Sequence, residues 1–216
     1  MDTYILYHAN CSDGLCAAAI VSRFLSERES TVPAVHKTAV TALPVLYGER
    51  PPEMAESSCV CIVDFCYPAA TLLELAETRS VFVYDHHISS QKAFAEYVVS
   101  DKSFSTHTSD DGSVTYSRGN LSVCFNNKES GASLVWKTLY ATYATPRCVT
   151  YVADRDLWKF ENAGTDAFSM AARLRLKTVE EWVPALYSAS YTDSLRRFGQ
   201  PLLEYRAHDV YSQCSR

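Results

Sequence analysis

Three short apolar runs that each end abruptly in an ionisable residue constrain the fold of this chain most. They are residues 4–7 before His8, residues 59–63 before Asp64, and residues 81–84 before Asp85-His86-His87. Apolar runs of β-branched and aromatic residues without polar alternation are typical of strands covered on both faces. The runs therefore indicate a mainly parallel sheet.

Helix-forming stretches follow the first two runs, from Gly14 to about Glu27 and from Pro68 to about Glu77. A repeated order of strand, turn and helix predicts an α/β fold, a doubly wound, mainly parallel sheet flanked by helices. Ligands of such sheets bind beyond the carboxyl ends of the strands. We therefore expect the ionisable residues after the three runs to face one crevice.

The rest of the chain divides into a polar excursion and a helical end. Residues 100–121 are polar and predict a hairpin or loop. From residue 163 onward we expect mostly helix, interrupted at Pro184 and Pro201. This pattern predicts an α/β catalytic domain over 1–162 and a helical extension or connector over 163–216.

Composition limits the setting and the partners. No apolar run approaches the length of a membrane span, and the first residues do not resemble a secretory signal, so a cytoplasmic protein without a membrane partner is expected. The eight cysteines lack paired spacing and predict reduced, buried thiols. A net charge of −5 gives no long-range attraction to duplex DNA, so any nucleic-acid substrate should be short.

Carboxylates and imidazoles form one candidate constellation, made of His8, Asp13, Asp64, His86 and Asp154, with Asp85 and His87 beside them. Oxygen ligands mixed with imidazole suit manganese, magnesium or iron better than a structural zinc. Each member alone has a structural explanation; Asp64, for example, could cap the turn that follows it. Adjacent histidines point in different directions, which allows one to bind metal while the other meets a substrate.

The order of the motifs resembles the DHH phosphoesterase superfamily, which includes RecJ-type exonucleases, oligoribonucleases, cyclic-dinucleotide phosphodiesterases and family II inorganic pyrophosphatases. The matching segments are HANCSDG at 8–14, VDF at 63–65, YDHH at 84–87, SGA at 130–132 and DRDLW at 154–158. They extend over roughly residues 4 to 160. The resemblance implies a hydrolase that acts on phosphate esters of short oligonucleotides or nucleotides.

The resemblance also implies roles for individual residues. His8 and Asp13 would hold one Mn²⁺ or Mg²⁺ ion, His86 and Asp154 a second, and Asp64 would bridge the two. His87 would face the phosphate as a catalytic residue, and Asp85 would orient its neighbours or assist at the metal.

Four further residues are candidate substrate contacts: Asn10, Ser130, Gly131 and Arg155. Amides at the start of the helix around Ser130 and Gly131 could bind a phosphate, although an ordinary helix cap explains them equally well. Arg155 could also reach a phosphate, but an arginine between two aspartates more often joins a structural ion-pair network.

Two departures from the family keep other functions open. The first motif lacks the paired aspartates of many members, with Asn10 and Ser12 near Asp13, and no Gly-Gly-Gly-His-like segment occurs. A catalytically weakened domain that binds nucleotides or regulates a partner is one alternative, and an inorganic pyrophosphatase is another. A substrate-binding half is therefore missing, supplied by a partner, or replaced by residues 165–216, and a homodimer could cover exposed apolar surface. Five basic residues of that segment could bind phosphate, although a solvated helix face also explains them: Arg173, Arg175, Lys177, Arg196 and Arg197.

Overall fold

The computed structural model describes the backbone of residues 1–29 and 39–214 and the side chains of residues 1–29 and 39–206. Its strands are β1 (Thr3–His8), β2 (Val40–Val45), β3 (Cys59–Val63), β4 (Ser80–Asp85), β5 (Ser105–Thr108), β6 (Val114–Arg118) and β7 (Leu121–Phe125). Its helices are α1 (Ser12–Glu29), α2 (Ala69–Ala76), α3 (Ile88–Ser100), α4 (Gly131–Leu139), α5 (Arg147–Asp156), α6 (Thr165–Arg175), α7 (Val179–Tyr187) and α8 (Ala189–Cys214).

The described strands form a single sheet in the order β2-β1-β3-β4-β7-β6-β5. The first five strands in this order are parallel, and β6 and β5 continue the sheet antiparallel. From β1 the chain passes to β2 on one side and then returns to β3 on the other. The direction in which strands are added to the sheet therefore reverses between β1 and β3. In doubly wound folds the ligand crevice lies at this switch point. The predicted α/β class and doubly wound sheet are confirmed.

Helices cover both faces of the sheet, and successive side chains of a strand point to opposite faces. In β3, Cys61 and Val63 belong to the core beneath α1 and α4, whereas Val60 and Ile62 belong to the core beneath α2 and α3. The chain therefore builds three layers, and the unbroken apolar run of β3 is buried on both sides. This double burial explains why the run shows no polar alternation.

The polar excursion forms the antiparallel edge of the sheet. Strands β5 and β6 pair in register from Ser105↔Ser117 to Thr108↔Val114. The turn between them uses Gly112 at φ +86° and the side chain of Asp111, which accepts hydrogen bonds from Ser113. The hairpin alternative is thereby confirmed for this segment.

The C-terminal helices share a core with the rest of the protein. Phe168, Trp182 and Leu195 pack in the same buried cluster as Ile5 of β1 and Ile20 of α1. The predicted interruptions are wrong, because Pro184 lies inside α7 and Pro201 inside α8. A proline removes a single helical hydrogen bond, and these helices continue through the loss. The boundary at residue 162 stays a prediction.

The described cysteines are all unpaired, and Cys16, Cys61, Cys124 and Cys148 are buried. The predicted burial is wrong for Cys11, Cys59 and Cys66, which are half-buried, and Cys214 lies outside the described side chains. Among the described helices, none combines the length and the apolar character needed to cross a bilayer.

Candidate metal centre

The carboxyl ends of three neighbouring parallel strands place the predicted residues along one edge of the sheet. His8 ends β1, Asp64 follows β3, and Asp85 ends β4. Asp64 turns the chain at φ +64°, a left-handed conformation that costs a non-glycine residue about 1–2 kcal/mol. Its amide donates to the carbonyl of Tyr84 at 2.9 Å, which holds the turn in place.

Asp64 is the centre of the cluster. Its side chain is only 1% exposed. Oδ1 lies 3.1 Å from Nε2 of His86, and Oδ2 lies 3.7 Å from Nδ1 of His8. Oδ2 is buried and has no hydrogen-bond partner among the described residues. An unsatisfied carboxylate oxygen in this position is costly, so the site favours a cation beside it.

The N-terminus of α4 holds Asp13. Asp13 accepts from the Ser130 hydroxyl at 2.8 Å, the Gly131 amide at 2.5 Å and the Ala132 amide at 2.9 Å. Ser130 also caps α4 through the amide of Ser133. The donors expected to meet a phosphate are thus directed at a protein carboxylate, which they fix next to Asp64.

Two glycines permit this close approach. A Cβ on Gly131 would lie 2.8 Å from Cβ of Asp64 and 2.9 Å from Oδ2 of Asp13. A Cβ on Gly14 would lie 2.7 Å from the carbonyl oxygen of His8 and 3.1 Å from Oδ2 of Asp64. The starts of α1 and α4 can reach the aspartates only because neither residue has a side chain.

Asp156, and not Asp154, joins the cluster. His86 Nε2 lies 3.5 Å from Oδ2 of Asp156 and 3.8 Å from Oδ2 of Asp13. The carboxylate of Asp154 instead accepts from the amides of Glu161 and Asn162 at 2.9 and 3.1 Å and from the hydroxyl of Thr165. It therefore closes the α5–α6 loop. Residues two apart on a helix point to different sides, so only one of the two reaches the metal centre.

His87 lies beside His86, with ring centroids 4.4 Å apart, and is oriented by Asp85. Nδ1 of His87 lies 2.6 Å from Oδ1 of Asp85, which also accepts from the amides of His86 and His87 at 2.8 and 3.2 Å. Asp85 is fully buried, and its Oδ2 has no partner among the described residues. This arrangement positions the His87 ring, as predicted for an orienting carboxylate.

The concentration of acidic groups perturbs their titration. Burial raises the pKa of Asp13 well above its usual range, and the charges of Asp64 and Asp156 add to this effect. Burial also acts to raise the pKa of Asp64, but the neighbouring imidazoles of His8 and His86 outweigh it and hold that pKa low. Burial alone would lower the pKa of His86; the hydrogen bond with Asp64 and the charges of Asp13, Asp64 and Asp156 raise it to about 9. Without a cation, a proton on His86 offsets part of the negative charge.

Among the described side chains, three groups could hold an ion, because the ligand atoms within each lie within 4.8 Å of one another. They are His8 with Cys11 and Asp64, Asp64 with His86 and His87, and Asp13 with His86 and Asp156. Asp64 belongs to two of these groups, as a bridging ligand would. Mixed carboxylate and imidazole donors fit Mn²⁺ or Mg²⁺. Asp13 lies in the His86 group instead of the predicted His8 group.

The sequence interpretation missed three residues of the centre. The DRDLW segment predicts Asp154 as the ligand instead of Asp156, and the spacing of the cysteines predicts Cys11 to be a buried thiol. Tyr47 lies after β2; its ring centroid is 4.8 Å from that of His8, and its hydroxyl is 3.3 Å from Nδ1 of His87. The sequence could have indicated Cys11 as a member of the cluster, since it lies between His8 and Asp13 in the same loop. No sequence feature indicated Tyr47, because its segment carries no recognisable motif.

The remaining candidate substrate contacts lie at a small cleft beside the centre. Asn10 and Arg155 line a cavity of about 220 Å³ together with Asp13, Asp156 and Arg173. Arg155 also forms an ion pair with Asp166 at 2.9 Å. The structure therefore gives Arg155 both a structural partner and a place beside the cluster.

Comparison with known proteins shows the fold alone. No model of a known protein family matches the chain. An uncharacterised protein of Acanthamoeba polyphaga mimivirus is 21% identical over 173 residues, which cover 76% of this chain and 35% of the viral protein. The crystal structure of an uncharacterised Helicobacter pylori protein superposes with a TM-score of 0.50 at 14% identity and covers 92% of this chain and 62% of that one. This chain thus spans about a third of the viral protein and less than two thirds of the bacterial one.

Proposed function

We propose that this protein is a divalent-metal-dependent phosphoesterase that hydrolyses phosphate esters of short oligonucleotides or nucleotides. The observation that carries the proposal is Asp64, a buried carboxylate with one unpartnered oxygen between the imidazoles of His8 and His86. The sequence resemblance to the DHH superfamily points independently to Asp64, His8 and His86. Asp154, by contrast, accepts hydrogen bonds on both of its carboxylate oxygens.

In the proposed site, His8 and Asp64 would hold one cation, and Asp13, His86 and Asp156 would hold a second, with Asp64 shared. Bound Mn²⁺ or Mg²⁺ would supply acidification of water and neutralisation of charge on the phosphate. The chain itself supplies the rigid positions. Asp13 is fixed by three hydrogen bonds from the start of α4, so its distance from Asp64 does not depend on a flexible loop.

His87 is the proposed general acid. The hydrogen bond that His87 donates to Asp85 raises the pKa of His87, and burial only partly opposes this effect. With Nδ1 held by Asp85, Nε2 is the atom that would carry a proton towards the oxygen of a departing alcohol. Asp85 positions the ring and stabilises its charged form.

The substrate side of the proposal rests on Asn10 and Arg155, which line the cleft next to Asp13 and Asp156 and offer an amide and a guanidinium to a phosphate. A net charge of −5 is compatible with a short substrate bound locally. A cytoplasmic setting stays a prediction. A homodimer stays a prediction.

The decisive experiment measures hydrolysis of a linear dinucleotide by the purified protein with and without Mn²⁺. We expect turnover only with metal and loss of turnover in Asp64→Asn. Asp101→Asn is the matched control, because Asp101 pairs with Arg118 at the far end of α3 and should leave the rate unchanged. Metal-dependent hydrolysis that survives in Asp64→Asn would refute the proposal.

The two alternatives give different results in the same assay. A binding or regulatory domain would retain dinucleotide without cleaving it at any Mn²⁺ concentration. A pyrophosphatase would release phosphate from pyrophosphate faster than it cleaves the dinucleotide. Either result would replace the proposed activity while leaving a metal site in place.

A further inference from the structure

A large open groove adjoins the candidate metal centre. It has a volume of about 1440 Å³ and lies between the connection that follows β2 and the first turns of α2 and α3. Its lining includes Tyr47, Arg50, Phe65, Tyr67, Arg79 and Ala93. The groove lies on the opposite side of the centre from the small cleft with Asn10 and Arg155.

Tyr47 connects the groove to the metal centre. It lines the groove, its hydroxyl is 3.3 Å from Nδ1 of His87, and its ring lies 4.8 Å from the ring of His8. Tyr47 is 52% exposed, although its ring contacts those of His8, Phe65 and His87. A molecule whose phosphate reached His8 and His87 would therefore place its adjoining group on Tyr47.

Aromatic side chains support Tyr47 from behind. Phe65, directly after Asp64, meets the Tyr47 ring edge to face at 6.4 Å, and Tyr67 meets Phe65 at 5.0 Å. Phe65 and Tyr67 are buried, so the chain of rings fixes the orientation of Tyr47. The hydroxyl of Tyr67 is buried without a hydrogen-bond partner among the described residues, so Tyr67 supports the groove wall through its ring.

The charge of the groove excludes a chain of phosphates. Four glutamates and two arginines line it: Glu49, Glu53, Glu56, Glu74, Arg50 and Arg79. Arg79 is already committed, because its three nitrogens donate to Met54, Ala55 and Thr78. The lining is therefore negative, and a further phosphate would be repelled where a neutral ring system would not.

We infer that this groove binds the neutral aromatic part of the substrate, a nucleobase with its sugar, stacked on Tyr47 while the ester phosphate occupies the metal centre. This inference rests on the proposed function for the role of the groove, but binding of the base is a separate property. It defines the substrate class as a nucleoside ester and disfavours pyrophosphate and polyphosphates.

The test measures adenosine binding to the metal-free protein by saturation-transfer NMR titration. Adenosine carries the base and sugar without a phosphate, so binding does not require the metal centre. We expect saturable binding that weakens about tenfold in Tyr47→Ala, because loss of a base–aromatic stack has roughly this effect. Tyr47→Phe keeps the ring and should stay within about twofold of the wild type. Ribose 5-phosphate, which lacks the base, should bind at least about tenfold more weakly than adenosine.

Two further variants guard against misfolding and non-specific effects. Ala93→Trp places a large side chain in the groove from an exposed position on α3 and should abolish adenosine binding with an unchanged circular dichroism spectrum. Tyr143→Ala is the matched control, since Tyr143 is exposed and lines neither cavity. Absence of saturable adenosine binding, or full affinity in both Tyr47→Ala and Ala93→Trp, would overturn the inference.

The outcome is separable from the proposed function. Adenosine binding that depends on Tyr47, without any metal-dependent hydrolysis, would support the groove and refute the phosphoesterase. Hydrolysis of dinucleotides at rates unaffected by Tyr47→Ala and Ala93→Trp would refute the groove and leave the phosphoesterase standing.

Discussion

Asp154 and Asp156, two residues apart at the end of α5, direct their carboxylates to different environments. Oδ2 of Asp156 lies 3.5 Å from Nε2 of His86, whereas Asp154 accepts hydrogen bonds from the loop that leads to α6. One aspartate is therefore available to a metal, and the other fixes the loop.

Replacing each of these aspartates by asparagine should separate the two roles. Asp156→Asn should weaken Mn²⁺ binding at least about tenfold while leaving the free energy of unfolding of the metal-free protein equal or higher, because a repelling charge is removed. Asp154→Asn should lower the free energy of unfolding by about 1–3 kcal/mol, since buried loop donors lose a charged acceptor. Calorimetric titration and urea denaturation measure the two effects. An equal loss of Mn²⁺ affinity in both variants would contradict this division.

The sequence predicted the sheet edge but not every side chain of the cluster on it. His8, Asp64 and His86 were placed correctly because strand ends in a parallel sheet meet at one edge, whatever the loops do. The choice between Asp154 and Asp156 depended on the rotation of α5, which a motif does not specify. Tyr47 reaches the site through tertiary packing against His8 and Phe65, and no local sequence pattern predicts such a contact.

The close approach of α4 to Asp64 depends on Gly131. In Gly131→Ala, the new methyl group would lie 2.8 Å from Cβ of Asp64, so the start of α4 must move and release Asp13. We expect a loss of about 1–3 kcal/mol in the free energy of unfolding and a marked loss of Mn²⁺ affinity. Gly119→Asn is a suitable control, because Gly119 has a positive φ that asparagine tolerates and open space around its Cα. Unchanged metal affinity in Gly131→Ala would show that Asp13 is not a ligand.

The role of His87 is tested by the leaving group of the substrate. In His87→Gln, hydrolysis of a dinucleotide should slow by about 10²–10⁴-fold, because the departing alcohol needs a proton. Hydrolysis of a p-nitrophenyl ester should slow much less, since p-nitrophenolate leaves without protonation. Steady-state kcat values for both substrates provide the comparison. Equal slowing for both would assign His87 to binding instead of proton transfer.

The pH dependence of the metal-free protein follows from His86. Its pKa is raised to about 9 in the folded state, above the ordinary value of 6.5. Protonated His86 therefore stabilises the folded state. This contribution to the free energy of unfolding is fully present below about pH 6.5 and is lost as the pH rises through about 9. Mn²⁺ affinity should change in the opposite sense, because the imidazole must lose its proton to bind an ion.

Urea denaturation and Mn²⁺ titration at pH 6, 7, 8 and 9 would measure both trends. His86→Gln should remove the alkaline loss of stability that the wild type shows. A wild-type protein whose unfolding free energy rises steadily to pH 9 would contradict the assignment of the proton to His86.

The most direct measurement is the anomalous X-ray scattering of a crystal grown with Mn²⁺. Two peaks are expected roughly 3.5–4 Å apart on either side of Asp64, the separation typical of two-metal sites. One should contact His8 and the other His86 and Asp156. Manganese located only outside this cluster, or no anomalous peak at saturating Mn²⁺, would contradict the proposed metal centre and the hydrolysis that depends on it.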